Sequence, residues 1–172
     1  MTVMTISDLH LNPNAKRAAE LVLADHPGLR FTDGRRDVRM QANRMAANTI
    51  RYGMQWLNET YKNQQMVGAL EDWMAENLEK TASVTQMTEG FYQVLVSELA
   101  GGLTMFPHCR GDAWDAACPT FGTGQIDERS VNQILYTIQQ LPLSLGLEYF
   151  TSKEGQLRVI HAQFKAQPTV QV

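Results

Sequence analysis

The spacing of apolar residues predicts that the first hundred residues are mainly helical. A short stripe at helical spacing follows Asn12-Pro13-Asn14 and ends before the turn sequence Asp25-His26-Pro27-Gly28. Asp37 is the predicted N-cap of the longest helix, and Gly53 is a weak point in its interior because glycine disfavours the helical backbone. The three longer amphipathic segments cover residues 38–61, 67–78 and 85–100.

Short strands are predicted on either side of this helical region. Residues 29–32 alternate in character and are followed by the turn pair Asp33-Gly34, which is typical of a strand of about four residues. Residues 103–128 contain four glycines, two prolines and both cysteines, so they predict a loop with a short strand. A further helix is predicted over residues 130–140, with Ser130 as its cap.

The C-terminal pattern predicts a β-hairpin. Residues 145–152 and 157–164 are the two strands, and Glu154-Gly155 is the expected tip of the turn between them. Helices followed by a small antiparallel sheet define an α+β class. We therefore expect several helices packed on a small antiparallel sheet, in a single domain over residues 1–172.

Charge and hydropathy narrow the functional classes. The chain has 15 Lys and Arg against 18 Asp and Glu, a net charge of −3, so a broad basic surface for nucleic acid is not expected. No apolar run is long enough for a transmembrane segment or a signal peptide. We expect a monomer that is made in the cytoplasm without a signal peptide.

Two cysteines, Cys109 and Cys118, leave three interpretations open. They could be zinc ligands, form a disulfide, or be small buried apolar residues. Because they form no C-x-x-C motif, the last interpretation is favoured in a reducing cytoplasm.

The most informative segment is Pro107 to Asp115, which contains the pattern H-x-x-G-x-A-x-D. His108 and Asp115 are seven residues apart, so on one straight strand their side chains would face opposite ways. A turn must therefore lie between them, and Gly111 can supply it with a positive φ. Ala113 then shares the face of Asp115, whereas Trp114 points into the core.

An imidazole and a carboxylate beside a loop form half of a candidate zinc site, which needs a third protein ligand. His161 is the candidate, because Val159, His161 and Gln163 share one strand face. Ile160, Ala162 and Phe164 form the opposite, apolar face.

Together these residues resemble the zinc D-Ala-D-Ala carboxypeptidase and L-alanyl-D-glutamate peptidase family. That family cuts peptidoglycan stem peptides and includes vancomycin-resistance D,D-dipeptidases and many phage endolysins. Thr32-Asp33-Gly34-Arg35-Arg36 is similar to its S-G-Y-R-S element, and Arg36 falls on the arginine that assists substrate and transition-state binding, with Arg35 as the fallback. The resemblance covers residues 29–164 and implies a hedgehog/D,D-peptidase-like fold with Zn²⁺ held by His108, Asp115 and His161.

One departure from the family pattern concerns the general base. Many members carry an acid three residues before the last zinc ligand, where this chain has Arg158. A hairpin centred on Glu154-Gly155 would place Glu148 directly opposite His161 on the same face, which makes Glu148 one candidate. Glu154 is the other, because its spacing from His161 is similar to that in the phage-like branch of the family.

The resemblance implies a zinc-dependent hydrolase, a metallopeptidase that acts on peptidoglycan stem peptides. The expected role is cell wall degradation by a bacteriophage or prophage endolysin during lysis, or by a virion-associated wall hydrolase. The enzyme would reach the wall or periplasm after holin release or particle delivery. Endopeptidase and carboxypeptidase activity both remain open, as does the bond that is cut. The alternative hypothesis is a zinc-binding or wall-binding structural module that keeps the fold without hydrolysis.

Overall fold

The computed structural model describes residues 4–154 and 157–166. Within these residues the chain forms α-helices, a single sheet and three short 3₁₀ turns. The helices are α1 (Pro13–Asp25), α2 (Val38–Tyr52), α3 (Gln55–Thr60), α4 (Gln64–Glu76), α5 (Val84–Ala100), α6 (Pro107–Arg110) and α7 (Glu128–Gln139). The strands are β1 (Phe31–Asp33), β2 (Ala113–Ala117), β3 (Leu147–Thr151) and β4 (Val159–Phe164). The 3₁₀ turns are Ser7–Leu9, Leu78–Lys80 and Leu143–Leu145.

The predicted α+β class is confirmed, because helices accompany a small antiparallel sheet. The chain divides into two compact units. The sheet unit comprises residues 1–35 and 106–172, and the helical unit comprises residues 36–105. The single domain expected over residues 1–172 stays a prediction. Among the described helices, none combines the length and apolar composition that crossing a bilayer requires.

The sheet unit is built on strands in the order β1-β2-β4-β3, all antiparallel. Helices α1 and α7 pack against the face that carries Trp114, Ile160, Ala162 and Phe164. The Trp114 ring meets Phe31 edge to face, with 5.3 Å between the ring centroids. This confirms that Trp114 points into the core and that β4 has one apolar face.

The opposite face of the sheet carries polar side chains in a row. Asp33 pairs with Asp115, Asp115 with His161, and His161 with Thr151, so the row crosses all four strands. Because paired residues share a face, β2 and β4 present Asp115 and His161 to the same side. Asp33, Asp115 and His161 are nevertheless buried.

The helical unit corrects the prediction of one helix over residues 38–61. Helix α2 ends at Tyr52 and α3 starts at Gln55, because Gly53 adopts a φ of 81°. Helix α2 packs along α5. Helices α4 and α5 approach closely where the Trp73 ring lies over Gly90, since a Cβ there would be 1.9 Å from the ring.

Two further boundaries differ from the prediction. Helix α7 is capped by Asp127, not Ser130: the Asp127 carboxylate accepts hydrogen bonds from the Ser130 backbone N–H and hydroxyl. The segment predicted as loop over residues 103–128 contains the one-turn helix α6, which begins at Pro107. Proline suits the first helical position, because the N–H it lacks would have no partner within the helix.

Asp112 holds α6 and the start of β2 in place. Its side chain is 2% exposed and accepts hydrogen bonds from Asn12 Nδ2 and Arg110 Nε, both at 2.6 Å. Its backbone carbonyl accepts from the N–H of Phe164 on β4. Asp112 occupies a variable position of the H-x-x-G-x-A-x-D pattern, and its role is to hold the local structure in place.

We expect Asp112→Ala to lower the free energy of unfolding by about 2–3 kcal/mol, because it leaves buried hydrogen-bond donors without their acceptor. The measurement is urea denaturation followed by circular dichroism. Asp25→Ala, at an exposed carboxylate, is the matched control and should change the value by less than about 0.5 kcal/mol. Equal losses in the two variants would contradict the anchoring role.

Candidate metal centre

Three side chains of the sheet unit converge in one buried cluster: His108, Asp115 and His161. One ligand atom from each lies within 4.8 Å of the others. The residues are 6%, 9% and 5% exposed, respectively. Helix α6, strand β2 and strand β4 each contribute one of them. The grouping predicted from the sequence is confirmed.

Gly111 makes the turn between His108 and Asp115. It ends α6 in the left-handed region at φ 82°, and its N–H donates to the His108 carbonyl. Space also favours glycine, because a Cβ here would lie 3.2 Å from the His10 carbonyl oxygen, closer than ordinary van der Waals contact. The positive φ expected at this position is confirmed.

The His108 ring is oriented by a backbone carbonyl. Its Nδ1 lies 2.8 Å from the Gly34 oxygen, and a carbonyl can only accept, so Nδ1 carries the hydrogen. The lone pair of the neutral ring is then on Nε2, which lies 3.3 Å from Asp115 Oδ1. Such a contact to the distal nitrogen is the usual way in which proteins fix a metal-binding histidine.

Asp115 and His161 form the centre of the cluster as a cross-strand pair. His161 Nδ1 lies 2.8 Å from Asp115 Oδ1, the same oxygen that faces His108. The two imidazole rings are tilted, with 5.3 Å between their centroids. The geometry therefore brings His108 Nε2, His161 Nδ1 and one carboxylate oxygen together.

The ionisation of Asp115 depends on both histidines. Burial raises the pKa of the carboxyl. The positive charge of His108 and His161, together with the hydrogen bonds that they donate, outweighs burial and holds that pKa well below its ordinary value. A carboxylate that stays ionised inside the protein needs positive charge beside it. The site thus favours a protonated imidazole or a bound cation.

The donor set fits a metal ion. A bare ring nitrogen and a carboxylate oxygen both present lone pairs, so contacts this close need a proton or a cation between them. Imidazole and carboxylate are ligands of zinc and of several other transition metals, and three protein ligands leave a coordination position open. The buried His-Asp-His group can bind a metal ion.

Glu154 lies at the edge of this cluster. Its Oε1 is 3.4 Å from His161 Nδ1, and its side chain is 24% exposed. The Glu154 backbone pairs with Leu157, whereas Gly155, the other residue of the predicted tip, lies outside the described residues. Glu154 therefore combines contact with the cluster and access to solvent.

The predicted pairing of Glu148 with His161 is wrong. Thr151 is the cross-strand partner of His161, and the register shifts at a bulge between Leu147 and Tyr149. Glu148 instead accepts a hydrogen bond from Gln163 Nε2 at 2.7 Å. The register differs because Glu154, predicted at the tip of the turn, pairs with Leu157 instead, so the pairs of β3 with β4 are displaced from the predicted ones.

The predicted arginines lie at the boundary of the two units. Arg35 is the last residue of the first segment of the sheet unit, and its N–H donates to the Leu9 carbonyl. Arg36 is the first residue of the helical unit, directly before the N-cap Asp37. Its role in binding substrate stays a prediction.

Two other residues considered in the sequence have structural partners. Arg158, at the position where the family carries an acid, places Nη2 2.8 Å from both carboxylate oxygens of Glu128. Cys109 and Cys118 are buried and are not joined in a disulfide, and burial raises the pKa of the Cys118 thiol despite the opposing charge of nearby Arg158. Their burial agrees with the interpretation favoured from the sequence, that both are small buried residues.

Sequence analysis missed the contribution of the Asp33-Gly34 pair to the site. Asp33 is buried beside Asp115, and its Oδ1 accepts the N–H of Gly34, whose carbonyl holds His108. The pair was predicted as a turn, which is the usual role of Asp-Gly. The sequence offered one signal for this role: the pair lies within residues 32–36, the segment that resembles a family element.

No family model, curated protein or solved structure matches the chain.

The Gly34 carbonyl makes a testable contribution to metal binding. A Cβ at Gly34 would lie 2.4 Å from the Leu9 carbonyl oxygen, so Gly34→Ala must displace the backbone that holds His108. We expect the affinity for Zn²⁺ to fall about ten-fold, the usual effect of losing a partner of a metal ligand. Competition with a chromophoric chelator measures it.

Gly28→Ala is the matched control, because no atom lies within 4 Å of the added Cβ. It should bind Zn²⁺ as the wild type does. Circular dichroism establishes that both variants are folded. Equal affinities for the two variants would show that the Gly34 contact does not support the site.

Proposed function

We propose that the protein is a zinc-dependent peptidase that hydrolyses peptidoglycan stem peptides. The observation that carries the proposal is the convergence of His108, Asp115 and His161 with a partly exposed carboxylate, Glu154, beside them. A metal-binding group and an adjacent carboxylate are the two parts that metal-assisted amide hydrolysis needs. The choice of substrate comes from the resemblance of the motif-bearing segments to the peptidoglycan peptidases.

His108 Nε2, Asp115 Oδ1 and His161 Nδ1 would hold the zinc ion. Zinc bound by three protein ligands supplies Lewis acidity, which polarises a carbonyl and lowers the pKa of a bound water towards about 7. The carboxylate of Asp115 contributes the one negative charge among the ligands. The Gly34 carbonyl keeps the His108 ring in the tautomer that binds through Nε2.

Glu154 is the proposed general base. Its carboxylate lies within hydrogen-bonding range of the cluster and is open to solvent, so it can take a proton from water and later deliver it to the leaving amine. Glu148 is less suited, because it pairs with Gln163 and not with His161. Arg158 cannot act as a base, because its guanidinium stays protonated and is paired with Glu128.

Arg36 is proposed to bind the substrate carboxylate or the developing oxyanion, with Arg35 as the alternative. A guanidinium suits either task, because its charge is fixed and its donors form a planar fork. This assignment depends on the similarity of residues 32–36 to the family element.

The proposed setting is bacteriophage or prophage lysis, in which an endolysin or a virion-associated hydrolase degrades the cell wall. The protein would be made in the cytoplasm and reach its substrate after holin release or particle delivery. A monomer is proposed, without a nucleic-acid partner. Both endopeptidase and carboxypeptidase activity fit the proposed site.

A non-catalytic zinc-binding or wall-binding module is the second candidate. The observation that favours it is the Arg158–Glu128 ion pair, which occupies the position where many family members have the catalytic acid. If Glu154 does not replace that acid, the site would bind metal without hydrolysis.

Metal analysis and wall digestion test the proposal. We expect one Zn²⁺ per chain and release of muropeptide fragments from purified peptidoglycan. His108→Ala should lower both metal affinity and cleavage, because it removes a metal ligand. The loss should exceed the ten- to about hundred-fold effect that is typical of removing a residue that only orients a ligand. Stoichiometric zinc without cleavage would favour the binding module, and absence of zinc binding would overturn both functions.

Two isosteric substitutions test the base. Glu154→Gln should retain zinc while kcat falls by about 10²–10⁴, the usual contribution of general acid–base catalysis. Glu148→Gln should retain both zinc and kcat. Steady-state hydrolysis of soluble muropeptides, with metal content measured on the same samples, provides the readout. The reverse result would assign the base to Glu148.

A further inference from the structure

Strand β3 presents two consecutive side chains to the face that carries the metal ligands. Leu147 and Phe150 pack against the core, whereas Glu148 and Tyr149 between them are exposed. Strict alternation would place one of these two on the core side, but the bulge between Leu147 and Tyr149 re-aims the chain. An acidic and an aromatic side chain therefore lie next to each other.

The Tyr149 side chain lies beside the metal-binding cluster, and the Glu148 side chain reaches Gln163 on the adjacent strand. The Tyr149 ring is 6.1 Å from the His161 ring, measured between centroids, and Tyr149 is the cross-strand partner of Gln163. Gln163 follows His161 by two residues on the same strand face, which places their Cα atoms about 7 Å apart. An extended peptide substrate lying along β4 would cover this distance with about two residues.

The chemistry of these groups favours a cation. The amide nitrogen of Gln163 donates to Glu148 Oε2, so the amide oxygen of Gln163 is left to accept. The Glu148 carboxylate adds a negative charge, and an aromatic face such as that of Tyr149 attracts ammonium groups. Among residues 4–154 and 157–166, no Lys or Arg forms an ion pair with Glu148.

We propose that Glu148, Tyr149 and Gln163 form a subsite for a primary ammonium group of the substrate. The inference rests on the proposed function and specifies its substrate class: a stem peptide whose residue near the cleaved bond carries an amine on its side chain. Glu148 supplies the charge, Tyr149 the aromatic wall, and Gln163 a second acceptor. Glu148 is thereby a substrate-binding residue and not the base.

Binding of two matched peptides tests the subsite. One is a synthetic stem pentapeptide with lysine at its third position, and the other is the same peptide acetylated on the lysine side chain, with the N-terminal amine blocked in both. Calorimetric titration uses the zinc-loaded Glu154→Gln protein, and chromatography verifies that the peptides stay intact. We expect the amine-bearing peptide to bind about ten-fold more tightly, as for a hydrogen bond between charged groups.

Variants in the same background assign the preference to residues. Glu148→Gln should abolish the preference, and Tyr149→Leu should reduce it about two- to five-fold. The matched controls are Glu20→Gln and Tyr136→Leu, both on helices of the sheet unit, where the Glu20 side chain is partly exposed and Tyr136 is exposed. Both controls should keep the full preference.

The outcomes separate this inference from the proposed function. Equal affinities for the two peptides, including no detectable binding of either, would overturn the subsite even if peptidoglycan is cleaved. A preference for the amine that is lost in Glu148→Gln supports the subsite even if no cleavage occurs. In the latter case the protein would be a binding module with the inferred specificity.

Discussion

The buried carboxylate of Asp115 is the constraint on which the candidate site depends. A charge inside a protein is tolerated only when paired and hydrogen-bonded, and His108 and His161 provide both kinds of partner for Asp115. Each partner in turn depends on a separate part of the sheet unit. His161 on β4 must lie opposite Asp115. The turn at Gly111 must bring His108, on α6, back towards Asp115. The site is therefore held by strand register and by one left-handed residue.

The apolar face of the sheet protects that register. Trp114, Ile160 and Ala162 are fully or almost fully buried between the strands and the helices α1 and α7. A slip of β4 by one residue would turn Ile160 and Ala162 to the polar face and move His161 into the core. The apolar packing on one face thus specifies the position of charged groups on the other. The Gly34 carbonyl adds a third restraint, because it fixes the His108 ring without using a side chain.

Much of this arrangement could be predicted from the sequence, because local rules govern it. The alternation of β4 separated His161 from the core residues, and the odd spacing of His108 and Asp115 required a turn that only a few residues can make. The pairing of β3 with β4 was predicted wrongly, because it depends on where the hairpin turns, and Glu154 pairs with Leu157 instead of forming the tip. The break at Gly53 was visible as a weak point, but glycine is only unfavourable within a helix, so its positive φ could not be predicted from the sequence. The contact of the His108 ring with Gly34 uses a backbone carbonyl 74 positions away. Such a contact cannot be predicted from a pattern of side chains.

The bulge in β3 also explains why two glutamates near His161 need not share one role. Without the bulge, the register in which Tyr149 pairs with Gln163 would place Glu148 on the core face of the sheet. The extra residue keeps Glu148 on the polar face beside Gln163, while Glu154, beyond the end of β3, lies 3.4 Å from His161. Because Glu154 contacts a metal-ligand candidate, its carboxylate is suited to proton transfer. Because Glu148 contacts an amide and lies beside an aromatic ring, its carboxylate is suited to holding a charged group of a substrate. The bulge in β3 and the turn of the hairpin thus place the two carboxylates separately, as their proposed roles in recognition and in proton transfer require.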